Sequence, residues 1–302
     1  MFRMPHAKGA KACWIFILLL VAACGVKKVE LKIPPAIKNA RTLDRAAVLS
    51  RFDQLCRLGS TLIVRKPSFN FSSESVTQSA REIFPTAPGL LILNRQGDLR
   101  LRVEEPLVRT TYADLAATRD RFKFYFRDRH KVYVGSINSE TVGKVAGDTE
   151  DKGTRQNLAK MRPWHINQAF FLDRLAADSQ LAVTDEDSSL ERFYVVHEIL
   201  TRDGVTRILQ SVWIERVGFD IRRKILYDDN GAPLADVQYN AWEGEGDKRH
   251  PVDMLLRRPQ EEYQIHFRLD KVTVGEPITP EMMELTVPES MPVEDLDQPK
   301  RG

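Results

Sequence analysis

The spacing of apolar positions changes period several times along this chain. From Thr42 to Cys56 the residues Leu43, Ala46, Ala47, Leu49, Phe52, Leu55 and Cys56 recur at three-to-four spacing. That pattern predicts an amphipathic helix, with Gly59 as its stop. From about Thr61 the period becomes two. Leu62-Ile63-Val64, Phe69 and Phe71 predict a first strand, bent or edged at Pro67. Gly89 to Leu93 predicts a second. In the third, Leu99, Leu101 and Val103 alternate with Arg100, Arg102 and Glu104. A fourth covers 110–117. In the fifth, Phe122, Phe124 and Phe126 alternate with Lys123, Tyr125 and Arg127, and a sixth runs over 131–137. Short turns join most of these, so neighbours should pair antiparallel.

Residues 140–153 are polar, acidic and glycine-containing, which fits a loop. A helical pattern follows over 155–176, interrupted at Pro163, with Ile166, Ala169, Phe170 and Leu172 beyond the break. Residues 178–190 again read as a polar loop. Strands resume over 192–200 and 206–215 around Arg202-Asp203-Gly204, a hairpin signal. Two more, over 219–227 and 234–242, flank Asp228-Asp229-Asn230-Gly231. After a loop over 242–251, a short strand over 254–257 and a longer one over 262–273 close the set. The total is about 11 strands in a meander, a mainly β (α+β) chain. A meander of this size must close into a barrel or cover its hollow face. The predicted architecture is an unclosed antiparallel half-barrel with covering helices. Residues 288–302, with Pro288, Pro292, Pro299 and many charges, read as a disordered tail.

The front of the chain follows a different logic. Arg3, Lys8 and Lys11 precede an unbroken apolar run of ten, Trp14 to Ala23. A bilayer span needs about 20 residues, whereas a signal-peptide core is this short. Val21-Ala22-Ala23-Cys24-Gly25 then reads as a lipobox. Small residues let extended backbone enter a peptidase cleft, and the Cys24 thiol accepts a diacylglycerol, with palmitate-type acyl chains as the anchor. One chain alone anchors marginally, while two or three hold firmly. The absence of Asp at position 25 favours the outer membrane. The alternative is an ordinary secretory signal with a coincidental cysteine. The predicted organisation is a signal peptide (1–23), a lipidated N-terminus and tether (24–41), one domain (42–287) and the tail (288–302).

Charge and chemistry narrow the function by exclusion. The chain has 302 residues with 45 basic and 42 acidic side chains. Three of the basic ones lie in the leader, so the mature chain is neutral, with no basic stripe for nucleic acid. Of the three cysteines, Cys13 and Cys24 belong to the leader region. Cys56 remains, in the first helix, as a buried inert thiol, and no disulfide framework is expected. His6, His130, His165, His197, His250 and His266 show no metal-ligand spacing. There is no nucleophile elbow and no phosphate-cradling glycine loop. The expectation is a protein that is not an enzyme and uses no metal or cofactor.

Several motifs in order resemble a known family. Gly89-Leu90-Leu91-Ile92-Leu93-Asn94-Arg95 runs into Asp98-Leu99-Arg100-Leu101-Arg102-Val103. Arg121-Phe122-Lys123-Phe124-Tyr125-Phe126 and Lys131-Val132-Tyr133-Val134-Gly135 follow. Met161-Arg162-Pro163 and Tyr227-Asp228 to Gly231, with Tyr239 and Trp242, complete the set. Over about residues 42–287 this is similar to the LolA/LolB-like outer-membrane lipoprotein-sorting and periplasmic lipid-carrier proteins. The chain departs from them in length, in the acidic insert 140–153 and in the proline-rich tail. The resemblance implies a half-barrel, lidded by helices, that holds acyl chains of lipoproteins or lipids and aids their insertion in the outer membrane. It implies the outer membrane and a periplasmic carrier protein as partners. The competing readings are a lipid-sensing regulatory protein of the envelope and a structural envelope lipoprotein with a filled core.

Two site expectations follow. Alternation places Leu99, Leu101, Phe122, Phe124 and Phe126 on shared faces, without saying which face is inside. With Ile166 and Phe170 from the covering helix they are the candidate cavity lining. The resemblance also implies a membrane-inserting apolar residue on the loop Glu104-Glu105-Pro106-Leu107-Val108-Arg109, where Leu107 stands after a stiffening proline. The alternatives there are a leucine folded back onto the sheet and acids that repel anionic headgroups. For the anchor, Cys24→Ala should abolish fatty-acid labelling and leave the precursor unprocessed or mislocalised. A variant that is still labelled and still fractionates with the outer membrane would refute the lipobox.

Overall fold

Fourteen β-strands pair edge to edge in one open sheet, in the computed structural model that describes residues 35–73, 87–127, 130–137, 162–285 and 290–298. A one-turn helix, α1 (Pro35–Lys38), leads into α2 (Arg45–Leu55). Asp44 caps α2, its carboxylate accepting from the Ala47 N–H at 2.8 Å. Val48, Phe52 and Leu55 face the core, the three-to-four stripe predicted for this helix.

The first half of the sheet is β1 (Thr61–Ser73), β2 (Ala87–Asn94), β3 (Leu99–Glu104), β4 (Thr111–Ala117), β5 (Arg121–Phe126) and β6 (Lys131–Ser136). The second half is β7 (Gln180–Asp187), β8 (Arg192–Arg202), β9 (Val205–Glu215), β10 (Ile221–Tyr227), β11 (Pro233–Glu243), β12 (His250–Arg258) and β13 (Tyr263–Val274). Between the halves lies α3 (Pro163–Phe170). After them come α4 (Pro280–Met283) and β14 (Val293–Asp295). The spatial order is β14-β6-β5-β4-β3-β2-β1-β13-β12-β11-β10-β9-β8-β7. The two meanders therefore join where β1 meets β13, over Leu62↔Val274 to Ser73↔Tyr263.

Turn chemistry fixes the registers. At the β8–β9 hairpin Asp203 (φ 53°) and Gly204 (φ 76°) are both left-handed, as a two-residue type I′ turn requires. Gly89 is needed for closeness instead: a Cβ there would meet the Arg102 carbonyl oxygen at 1.8 Å.

The sheet curls around one apolar face. Leu91 and Leu93 of β2, Leu99, Leu101 and Val103 of β3, and Phe122, Phe124 and Phe126 of β5 point inward. They are joined by Val212, Val237, Met254, Leu256, Ile265 and Phe267 from the second half. The outer face carries charge. Arg100 grips Asp114 with two bonds (3.1 and 2.8 Å), Arg102 adds a third at 3.1 Å, and Arg100 also donates to the Met282 carbonyl of α4 at 2.9 Å.

Four expectations need correction. The sheet has 14 strands rather than about 11. Residues 180–187, expected as loop, form β7; an end strand need bury little, and its acids suit an exposed edge. The tail expected to be disordered contributes β14, with Leu296 buried. Its composition concealed a three-residue strand beside a charge-complementary neighbour. Of the long helical pattern over 155–176, the described part is helical only over Pro163–Phe170, and the chain continues as an extended strap through Ser179. Residues 1–34, including Cys24, and 138–161 lie outside the described residues.

Asp114 is the most exacting of the outer-face groups, with its side chain 1% exposed between two guanidinium groups. Asp114→Ala should cost about 3–5 kcal/mol, because it strands buried Arg100 without a counter-charge. Urea unfolding measures this; a loss below about 1 kcal/mol would show that Arg100 finds water or another partner.

Candidate functional site

A short helix seated in a curved apolar sheet defines the site. An eight-residue helix is marginal in water by itself, and its last carbonyls lack intrahelical partners. Pro163 opens α3 at a position where no N–H is needed. Its C-terminal carbonyls are capped by the sheet. Lys224 of β10 donates from Nζ to the Gln168 carbonyl and, at 2.8 Å, to the Phe171 carbonyl. Tyr239 of β11 donates to the Ala169 carbonyl at 2.6 Å. A cation at a helix C-terminus also complements the helix dipole. At the helix N-terminal end, His165 Nδ1 and the Tyr263 hydroxyl share a hydrogen bond of 2.7 Å. Asn167 reaches the Asn94 carbonyl at 2.6 Å.

The strap that follows is held in the same way. Glu198 of β8 accepts from the N–H groups of Leu175 (2.9 Å) and Ala176 (3.0 Å), from Ser179 Oγ (2.6 Å) and from Gln210 Nε2 (2.6 Å). Gln210 also donates to the Asp173 carbonyl at 2.7 Å. Arg95, in the β2–β3 turn, donates to the carbonyls of Gly59 (3.0 Å), Leu172 (3.0 Å) and Leu58 (2.6 Å), pairs with Asp173, and lies over the Phe171 ring.

Burial tunes these groups. It pushes Lys224 down to about 8, with Asp173 opposing. His165 is pushed down to about 2 by burial and by Arg258 and Arg162, so it is neutral. Burial raises the hydroxyls of Tyr239 and Tyr263, which stay protonated. Burial acts to raise Glu198, but hydrogen bonds from Ser179, Gln210, Ala176 and Leu175 outweigh it and hold the group below its ordinary range. Cys56 is pushed up to about 12, chiefly by burial, which makes it a poor nucleophile.

All seven candidates for the cavity lining come together, as packed core among the described residues and not around a hollow. Leu99, Leu101, Phe122, Phe124, Phe126, Ile166 and Phe170 are buried in one continuous cluster. The register explains it: Leu99↔Ala117↔Phe122 and Leu101↔Leu115↔Phe124 set β3 and β5 across the smaller residues of β4. Phe170 packs edge-on against Phe267 at 5.3 Å between ring centroids. A gap of about 20 Å³ remains under the strap, lined by Leu55, Leu62, Phe170, Leu172, Tyr239 and Trp242 among others. Ligand pockets are typically about 300–1,000 Å³. With α3 seated, the described side chains fill the space a ligand would need there. Wider clefts of about 540 and 670 Å³ lie outside, one beside Trp213 and Arg223, the other between Lys123 and Pro280. Among the described residues no three His, Cys, Asp or Glu side chains gather as a metal ligand set.

Leu107 stands apart from this cluster. It is 95% exposed and Val108 64% exposed at the tip of the β3–β4 loop, which rules out a leucine folded onto the sheet. Glu105 receives Arg127 at 2.5 Å and Thr110 at 3.1 Å, and Glu104 lies 4.0 Å from Arg109. The hydrogen bond from Arg127 is the main cause holding Glu105 below its ordinary range. Both acids flanking the tip therefore have a cationic partner.

The residues that hold α3 and the strap were not among the sequence candidates. Arg95 lay inside a quoted motif, and Tyr239 beside another. Lys224 and Glu198 carried no signal, since a charged residue in a strand ordinarily faces water.

The chain is similar in fold to solved LolA-type proteins. A LolA superfamily protein from Nitrosomonas europaea is 10% identical over 81% of this chain and 99% of that one, with a TM-score of 0.47. A candidate outer membrane lipoprotein-sorting domain from Vibrio parahaemolyticus is 13% identical over 78% and 94%, with a TM-score of 0.44. A DUF1329 family protein from Desulfovibrio piger is 11% identical over 83% and 98%, with a TM-score of 0.48. These are likenesses of fold alone. No protein-family model and no curated protein matches the chain.

The strap should respond to acid. Because the folded Glu198 is held below its ordinary value of about 4.3, its contribution is fully present above that value. It is lost as pH falls through the lowered one. Amide-exchange protection at Leu175 and Ala176, corrected for intrinsic rates, should therefore be intact at neutral pH and be lost as the pH falls below the ordinary carboxylate range. In Glu198→Gln the protection should already be weak at neutral pH and its pH dependence flat. A strap whose protection is indifferent to both changes would refute this.

Proposed function

We propose that this chain is a lipid-anchored envelope protein, not an enzyme. It takes an acyl chain of a lipoprotein or lipid onto the inner face of its half-barrel by displacing α3, and passes it to a membrane. The observation that carries the reading is the way α3 is held. The helix has only eight residues, is marginal without the sheet, and meets the trough through Ile166 and Phe170 and through donors to its last carbonyls. Removing it would uncover a continuous apolar trough already lined by Leu99, Leu101, Phe122, Phe124 and Phe126. Acyl surface entering that trough gains about 25 cal/mol per Å² removed from water. That gain offsets the contacts the helix gives up.

Leu107 supports delivery. A single protruding leucine contributes roughly 1.5–3 kcal/mol on entering lipid, enough to bias docking without anchoring. The topology puts the β3–β4 loop at the end of the sheet opposite the start of β1. The chain enters at the same end as the start of β1, with Arg41 bonded to Arg216 and Val217 of the β9–β10 turn. Residues 25–34, ahead of α1, can reach at most about 33–36 Å. The Leu107 loop, paired through β2 with the first half of β1, lies roughly eight residues or about 27 Å along the sheet from that end. A tether from Cys24 of that reach lets the Leu107 end turn toward the membrane that holds it. The reading takes the outer membrane as the location and a soluble periplasmic carrier as the donor.

The test uses the mature chain with a fluorescent long-chain fatty acid and acceptor vesicles. The parent should bind the probe and release it to vesicles. Leu107→Glu should bind within about twofold of the parent yet transfer at least about tenfold more slowly, as expected if 1.5 kcal/mol or more of docking is lost. Absence of binding in the parent would refute the carrier reading. Unimpaired transfer by the variant would remove Leu107 from the mechanism.

A further inference from the structure

Among the described residues twelve strand pairings are antiparallel, and the one between β14 and β6 is parallel, with Val293↔Val132, Glu294↔Tyr133 and Asp295↔Val134. The C-terminal segment lays itself along the outer edge of β6. The Val132 N–H donates to the Pro292 carbonyl at 3.0 Å, and the Leu296 N–H donates to the Val134 carbonyl at 2.9 Å. Ser136 donates to the Asp297 carboxylate from its N–H (2.9 Å) and its hydroxyl (2.7 Å). Lys131 pairs with Glu294 at 3.1 Å and Arg121 with Asp297 at 3.5 Å.

This grip is specific but light. Leu296 is buried at 6% exposure while Val293 is 64% exposed. Both ion pairs are partly solvated, and such pairs contribute about 0–1 kcal/mol each. The strand is three residues long, whereas β6 offers six. An edge strand presents unpaired backbone groups that an extended segment can complete. The side chains along this edge state what that segment should carry: an acid for Lys131, an apolar residue for the Leu296 position, and a carboxylate for Arg121 and Ser136.

We propose that the outer edge of β6 is a strand-acceptor site for an extended, acidic segment of a partner protein. Pro292–Asp297 is its built-in competitor. A tethered competitor acts at an effective concentration in the millimolar range, so it lowers the partner's apparent affinity without preventing exchange. Strand addition here is independent of the inner trough, and it does not require the chain to carry lipid.

The probe is a fluorescein-labelled peptide of residues 290–299, titrated against the mature chain, its Leu296→Asp variant and a chain ending at Glu289. The peptide should bind the variant and the shortened chain at least tenfold more tightly than the parent. In the shortened chain, Lys131→Glu should weaken binding about threefold or more, and a peptide with Lys in place of Glu294 should restore it. Equal binding to parent and variants would overturn the proposal, as would a folded shortened chain that binds no peptide. A shortened chain that fails to fold would make the segment a structural strand. One that instead pairs with itself, seen as a concentration-dependent rise in mass, would make a second copy the occupant. Either result overturns an acidic partner.

Discussion

The arrangement depends on the capping of α3 by the sheet. Lys224 and Tyr239 project from adjacent strands into an otherwise apolar interior and receive the carbonyls that an eight-residue helix leaves open. Without them, α3 would have buried orphan acceptors, each costing about 1–3 kcal/mol. With them, the helix is stable only where it sits. Arg95 and Glu198 extend the same principle along the strap, so that backbone with no secondary structure of its own crosses a buried face with its polar groups satisfied.

That constraint explains why an open sheet of this size holds together. Its inner face is too apolar to be left uncovered, and the described chain covers it with α2, α3 and the strap. The two edges are managed by different means. β7 keeps an acidic end, with Asp185, Glu186 and Asp187 exposed, and β6 is capped by the chain's own C-terminal strand. On the outer face, Arg100, Asp114 and Arg102 fasten α4, so charge replaces apolar packing where the curvature points toward water.

Much of this was legible in the chain, and the rest was hidden for physical reasons. Alternation in Leu99–Glu104 and Arg121–Phe126 located strands and shared faces, and burial then chose the inner face. The hairpin at Asp203-Gly204 and the proline opening α3 were likewise visible. Strand β7 was missed because Thr184 to Asp187 carries no apolar side chain. Strand β14 was missed because three residues cannot establish a period. In Ile221-Arg222-Arg223-Lys224-Ile225-Leu226, either face could be the inner one, so nothing distinguished buried Lys224 from half-buried Arg222 and Arg223. Leu107 was visible as an apolar residue in a proline turn, but its exposure depended on how the loop closes, through Arg109 in the left-handed region (φ 56°) and Glu105 bound to Arg127.

The central claim is that α3 occupies the place of an acyl chain and yields it. The direct measurement is the distance between spin labels at Gln168 on α3 and Asn230 in the β10–β11 turn, both exposed positions, in a Cys56→Ser background. With a long-chain fatty acid bound, the distance distribution should lengthen by about 5 Å or more, half a helix diameter. It should return when the ligand is extracted. Stoichiometric binding with an unchanged distribution would contradict the account, because the ligand would then lie elsewhere and α3 would be a fixed part of the core.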